Sequence, residues 1–307
     1  MLIARTDGRA LPGLSPLRQM MPYLLRGRNE SCVYFEQDLD LTQTLRLVEQ
    51  LNADGAQPPI HLFHVILCAI VRTFAQRPQL NRFVCGGKIY QRDHISLSFA
   101  IKKEKSDAGV LTTTKLRFSP EDTLQQVAAR VHEAVLFGRG PRPSRADQET
   151  ALVTRLPGPL LRFLMWIQRS LDAWNLLPSA LSEPDPLYAS MFLANLGSIG
   201  LHSAYHHLFE YGTVSFFATV GKVHKKALIK SLPSDPQNSP QPGDAPSPEQ
   251  LVIRDVVNLK YTFDERITDG YYCARSLDLF QQMVESPEQL LTPMVPPTET
   301  KMSSRAR

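Results

Sequence analysis

Tyr261-Thr262-Phe263-Asp264-Glu265-Arg266-Ile267-Thr268-Asp269-Gly270-Tyr271-Tyr272-Cys273-Ala274-Arg275 joins two kinds of periodicity. Upstream, Leu251, Ile253, Val257, Leu259, Tyr261 and Phe263 alternate as the residues of a long half-buried strand do. Downstream, Cys273, Leu277, Phe280 and Val284 recur at helical spacing. The turn between them carries Asp264, Glu265, Arg266 and Asp269, so charged groups are concentrated at one strand–turn–helix junction.

Working back from this junction, Gly212–Val223 has strand character, and the proline-rich polar run 232–249 reads as a disordered or extended loop. Leu156–Leu181 is apolar, with Phe163, Trp166, Trp174 and a few arginines. It reads as a helical insertion (about 151–182) packed on the domain, with a membrane-surface helix as the alternative. Residues 138–150 form a basic polar link. Ser119-Pro120-Glu121-Asp122 reads as an N-cap serine with proline in the first turn, starting a helix with Leu124, Val127, Ala128, Val131 and Val135 on one face. Ile95, Leu97, Phe99 and Ile101 alternate as a strand, and Gly86-Gly87 marks a hairpin turn between Phe83–Cys85 and Lys88–Tyr90. His61–Gln76 is apolar nearly all round, the mark of a buried helix. Leu41, Leu45, Val48 and Leu51 predict a short amphipathic helix after a strand at Val33–Leu39. Residues 1–16 read as an N-terminal arm and 293–307 as a disordered tail. Intermixed strands and helices over 17–292, without internal repeats, predict a single α/β domain with a mixed sheet flanked by helices.

Composition narrows the function classes. The chain has 307 residues, 43% of them hydrophobic, enough for a large core. A net charge of +4 with dispersed basic residues argues against nucleic acid. Cys32, Cys68, Cys85 and Cys273 are widely spaced, which suits a reduced cytoplasmic protein better than disulfides or a zinc site. No run reaches the roughly 18 apolar residues of a membrane span, and the first residues are too short for a signal peptide.

The junction resembles the Asp-His-Arg-x-x-Asp-Gly signature of the 2-oxoacid dehydrogenase acyltransferases, the dihydrolipoamide acyltransferase and chloramphenicol acetyltransferase type, matching at Asp264, Arg266, Asp269 and Gly270. Leu193-Ala194-Asn195-Leu196-Gly197-Ser198-Ile199-Gly200 resembles that family's Ile-Ser-Asn-Leu-Gly segment. Ile95–Lys102 is similar to the strand lining its acyl channel, and Arg18-Gln19-Met20-Met21, more loosely, to its arginine-led helix. The resemblance implies the chloramphenicol acetyltransferase-like fold. It also implies a base that deprotonates a thiol or hydroxyl for attack on an acyl thioester, and a serine donor for the oxyanion.

Carried over by position, the base site is Glu265 instead of histidine and the oxyanion donor site is Ala194 instead of serine. Asp269 is the structural aspartate, with Arg18 as its suggested partner. A glutamate near pKa 4.3 against a thiol near 8.5 faces a transfer uphill by roughly 5–6 kcal/mol, which burial of the carboxyl would reduce. Losing an oxyanion donor costs about 2.7–4 kcal/mol; Ser198 and Thr268 are the nearby hydroxyls. Two readings follow. One is a stand-alone acyltransferase that uses coenzyme A or acyl-CoA as substrate and a small or lipid-like acceptor, with no metal and no covalent lipoate. The other is a catalytically inactive trimeric binding or scaffold protein.

The resemblance further implies a homotrimer in which the Glu265 loop faces a neighbour's Ala194 segment. Without lipoyl or subunit-binding domains, the chain is not expected in a dehydrogenase megacomplex. Weaker candidates are His202, His206 and His207 as a metal site, His61 and His64 on the buried helix, and Lys222, Lys225 and Lys226 as phosphate partners.

Overall fold

The long strand that leads into the acidic turn is the spine of the molecule. The computed structural model describes residues 5–103, 109, 111–140, 153–231 and 249–294. In chain order these form β1 (Gly8–Ala10), α1 (Pro16–Leu24), β2 (Cys32–Asp40), α2 (Thr42–Ala53), α3 (Leu62–Gln76), β3 (Arg82–Cys85), β4 (Lys88–Arg92), β5 (Ile95–Lys102), β6 (Leu111–Phe118) and α4 (Leu124–Arg139). There follow α5 (Gly158–Ala173), α6 (Ser179–Ser182), β7 (Met191–Asn195), β8 (Phe216–Val220), β9 (His224–Ser231), β10 (Glu249–Asp264) and α7 (Gly270–Glu285).

The main sheet has the order β2-β10-β8-β7-β5-β6, with β9 also paired to β10. β5–β7 and β7–β8 are parallel and the other pairs antiparallel, so the sheet is mixed as predicted. A smaller sheet, β1-β4-β3, contains the Gly86–Gly87 hairpin, where both glycines take positive φ (53° and 73°).

Alternation along β10 decides its packing. Val257, Leu259, Tyr261 and Phe263 all face the helical layer and are buried. There they meet α3, whose residues His64 to Phe74 are all buried, and α7, where Phe280 lies edge-on to Tyr261. Each such side chain contributes about 1.5–3 kcal/mol through burial. The opposite face carries a much smaller cluster, Ala189, Phe192, Leu208, Val214 and Phe217.

Four expectations change. Leu251 and Ile253 are exposed, because residues 249–255 of β10 pair only with β9. Residues 5–10 are no loose arm: β1 adds to β4, and buried Arg5 pairs with Asp7 and Asp172, both at 2.8 Å. Ser119–Asp122 forms a turn one step before α4. The cap is Thr123, whose hydroxyl accepts from Gln126 N while Gln126 Oε1 accepts from Thr123 N. The reciprocal pair, not Pro120, sets the helix start. The insertion's α5 leaves Leu160, Phe163 and Trp166 exposed, and Trp174, just past its end, is exposed too. Of the predicted loop 232–249, link 138–150 and tail 293–307, residues 232–248, 141–150 and 295–307 lie outside the described residues; Glu249 already belongs to β10, and Gly138 and Arg139 to α4.

Candidate active site

Asp264 ends β10 and is completely buried. Its two oxygens take Arg266 Nε at 2.8 Å and the second guanidinium nitrogen at 2.7 Å, and one also accepts Arg266 N at 3.0 Å. The remaining guanidinium nitrogen donates to the carbonyls of Leu25 and Arg26, at 3.0 and 3.3 Å. A bidentate pair of this kind is rigid as well as strong, and here it clamps the turn to the end of α1.

Arg18 clamps the same turn from α1. Its guanidinium donates to Glu265 O at 2.7 Å and to Thr268 O at 3.2 Å. This corrects the suggested Arg18–Asp269 pair. Asp269 is exposed and instead caps α7, accepting from Tyr272 N at 2.8 Å. Arg18 still fastens the turn, through backbone oxygens. Gly270 opens α7, and a Cβ there would meet nothing within 4 Å, so no close approach requires glycine.

Glu265 is held by its backbone: N donates to Ser31 O at 3.0 Å and O accepts from Arg18. Its half-buried carboxylate has no hydrogen-bond or ion-pair partner among the described residues. It lines a cavity of about 300 Å³ with Leu17, Arg18, Met21, Val33, Phe263 and Thr268. The sequence reading missed the apolar wall. Its signal was Leu17 and Met21, four apart on one face of α1.

Ala194 is elsewhere. Register places Ala194 beside Thr219 of β8, and Thr219 beside Lys260 of β10. Glu265 lies five residues further along and two strands across, about 19 Å away at about 3.3 Å per residue and 4.8 Å per strand. One chain therefore does not bring the two positions together. β5, expected to line the acyl channel, contributes nothing to the Glu265 cavity.

The segment after Ala194 has structural work of its own. Asn195 Oδ1 accepts from Ser198 N at 3.1 Å, and Ser198 Oγ donates to Asn195 O at 2.7 Å. At Gly197 a Cβ would come within 2.5 Å of Gly221 O, so this backbone crossing requires glycine. Thr268 Oγ1 donates to Gln79 at 3.0 Å. Neither nearby hydroxyl is without a partner.

The weaker candidates resolve simply. His206 stacks on Phe217 with centroids 3.9 Å apart. No three His, Cys, Asp or Glu among the described residues could hold a metal ion. Lys225 and Lys226 pair with Asp255 and Asp38. His64 accepts from His61 N at 3.2 Å, and burial lowers it to about 4.

The family model for the 2-oxoacid dehydrogenases acyltransferase (catalytic domain) matches residues 14–153 and 190–292. The chain belongs to this family. The match skips 154–189, so α5 and α6 lie outside what the acyltransferase family model covers. Among curated proteins, none matches the chain in sequence.

Solved acyltransferases share its fold. A probable dihydrolipoamide acetyltransferase from Listeria monocytogenes is 17% identical, with a TM-score of 0.54 over 90% of this chain and 94% of its own. A dihydrolipoamide acetyltransferase from Azotobacter vinelandii is 14% identical, with a TM-score of 0.54 over 90% and 88%. Its structure was studied for the role of a serine, a histidine and an asparagine in the catalytic mechanism. A chloramphenicol acetyltransferase is 14% identical, with a TM-score of 0.51 over 93% and 100%.

Proposed function

We propose that this acyltransferase-family chain moves an acyl group from a thioester, acyl-coenzyme A, to a small or lipid-like acceptor, with Glu265 as the base. The supporting observation is the Glu265 carboxylate itself: unpaired, half-buried, and held over a cavity of about 300 Å³ by a turn clamped at Arg18 and Arg266. Such a carboxylate is available to take a proton, and the clamps fix where it points.

The step balances simply. Glu265 accepts the proton of the acceptor's thiol or hydroxyl as that atom bonds to the thioester carbonyl carbon. The carbon–sulfur bond then breaks, and the coenzyme A thiolate recovers the proton from Glu265. The separation of Glu265 from Ala194 within one chain supports a homotrimer with each site completed by a neighbour. Four unpaired cysteines suit a cytoplasmic setting.

One observation favours the second reading, a non-catalytic trimeric binding or scaffold protein. Ala194 has no hydroxyl, and both Ser198 and Thr268 already donate elsewhere. Full-length protein incubated with a panel of acyl-CoAs and acceptors, with free thiol followed, separates the two. The enzyme reading expects turnover that falls about a hundredfold or more in Glu265→Gln. If no acyl-CoA binds and Glu265→Gln leaves the cellular role intact, the scaffold reading stands.

A further inference from the structure

Four arginines converge on a second cavity that shares no lining residue with the first. Arg26, Arg28, Arg169 and Arg266 line it, with Asp172 and Glu210 as its carboxylates, and its volume is about 210 Å³. Adjacent residues of one turn serve the two cavities, Glu265 the first and Arg266 the second.

The carboxylates are already engaged. Glu210 accepts Arg28 N at 3.1 Å, Asn29 N at 2.9 Å and the Asn29 side chain at 3.0 Å. Asp172 binds Arg5 at 2.8 Å and receives the Tyr188 hydroxyl at 3.3 Å. Arg266 is committed to Asp264. By contrast, neither the Arg26 nor the Arg169 guanidinium has a hydrogen-bond or ion-pair partner among the described residues.

Arg28 lies deeper. It is 7% exposed and donates to the carbonyls of Phe209 and Glu210, at 3.1 and 3.2 Å, while its Nε has no partner. Burial pushes it below the usual guanidinium range; the Asp264 and Glu210 carboxylates oppose this and the Arg266 charge adds to it. Arg26 and Arg169 are exposed at the rim, so their unpaired guanidiniums are free to turn toward an anion in the cavity.

The wall that brings Arg169 here is built, not incidental. α5 is anchored where Asp172 meets Arg5, and Gly86 abuts its last turn so closely that a Cβ would come within 2.2 Å of Ala173 O. Arg169 sits one turn before Ala173 on this anchored helix. Arg169 and Asp172 lie outside the family match, whereas Arg26, Arg28, Glu210 and Arg266 lie within it.

We propose that this cavity is a binding site for a small oxyanion, a phosphate or carboxylate group, held between Arg26 and Arg169 at the rim, with the unpartnered Nε of Arg28 behind. Guanidinium forks match both groups in a bidentate way. The volume admits such a headgroup, given about 30 Å³ for one water.

Calorimetric titration of the full chain with inorganic phosphate and with succinate tests the site and separates the two sources. Saturable binding of at least one anion is expected, the tighter naming the group. Arg26→Ala and Arg169→Ala, both at the rim, are each expected to weaken it about tenfold. Arg162→Ala, on α5 but outside the cavity, and Glu265→Gln, in the other cavity, are expected to leave it unchanged. The proposal is overturned if neither anion saturates, or if both rim variants bind as the parent does. It is overturned equally if Arg162→Ala weakens binding as much as Arg169→Ala, or if Glu265→Gln abolishes it.

Discussion

Asp264 and Arg266 meet two residues apart in the chain with both forks engaged, at 2.8 and 2.7 Å, and the carboxylate is shielded entirely from solvent. The guanidinium's spare nitrogen then holds two carbonyls at the end of α1. A single buried pair thus joins the last residue of β10, the turn bearing Glu265, and the N-terminal helix.

Removing one partner should therefore be severe. Asp264→Ala is expected to lose about 3–5 kcal/mol, because the Arg266 charge stays buried without compensation. Denaturant unfolding measures this, and a loss below about 1 kcal/mol would show that the pair does not hold the turn.

Asp269 should matter much less. As the cap of α7 its replacement by alanine is expected to cost about 1 kcal/mol, with Asp269→Ser recovering most of it. A loss as large as that for Asp264→Ala would mean that Asp269 pairs with an arginine after all.

Glu265 should be nearly silent in stability. Its carboxylate has no partner among the described residues, so Glu265→Gln is expected to shift unfolding by no more than about 0.5 kcal/mol. The same variant abolishing turnover at unchanged stability would separate chemistry from folding. Pairing Glu265→His with Ala194→Ser is expected to restore family-type transfer where neither change alone does, read as thiol release.

The buried imidazole of His64 gives a pH signature. Burial holds it at about 4 when folded, against about 6.5 unfolded. The unfolded chain thus binds the extra proton between these values. Its contribution is complete above about pH 6.5 and is lost as pH falls toward 4, at about 1.4 kcal/mol per pH unit. In denaturation at several pH values, His64→Gln keeps an acceptor for His61 N and should flatten the slope by about one proton. An unchanged slope would assign the effect elsewhere.

Much of the architecture was legible because it rests on local periodicity. The period-two run in β10, the all-round apolar character of α3 and the paired glycines at 86 and 87 each specify an element through short-range geometry. Where two local signals competed, the reading slipped. Ser119-Pro120 looked like a helix start, but Ser119–Asp122 closes on itself as a turn and the reciprocal Thr123–Gln126 pair caps the helix that follows. Residues 5–10 had no periodic signal, since their order comes from Arg5 meeting Asp172, which is 167 residues away.

The sequence by itself determined the family, the mixed α/β fold, and the departure from the signature at Glu265 and Ala194, because a motif and its order are properties of the chain read in line. Only tertiary structure decided what the motif's residues do. It gave Arg18 two carbonyls instead of Asp269, set Ala194 about 19 Å from Glu265 within one chain, and gathered Arg26, Arg28, Arg169 and Arg266 around one cavity. Those relations depend on strand register and on packing between residues far apart in sequence, and no local pattern encodes them.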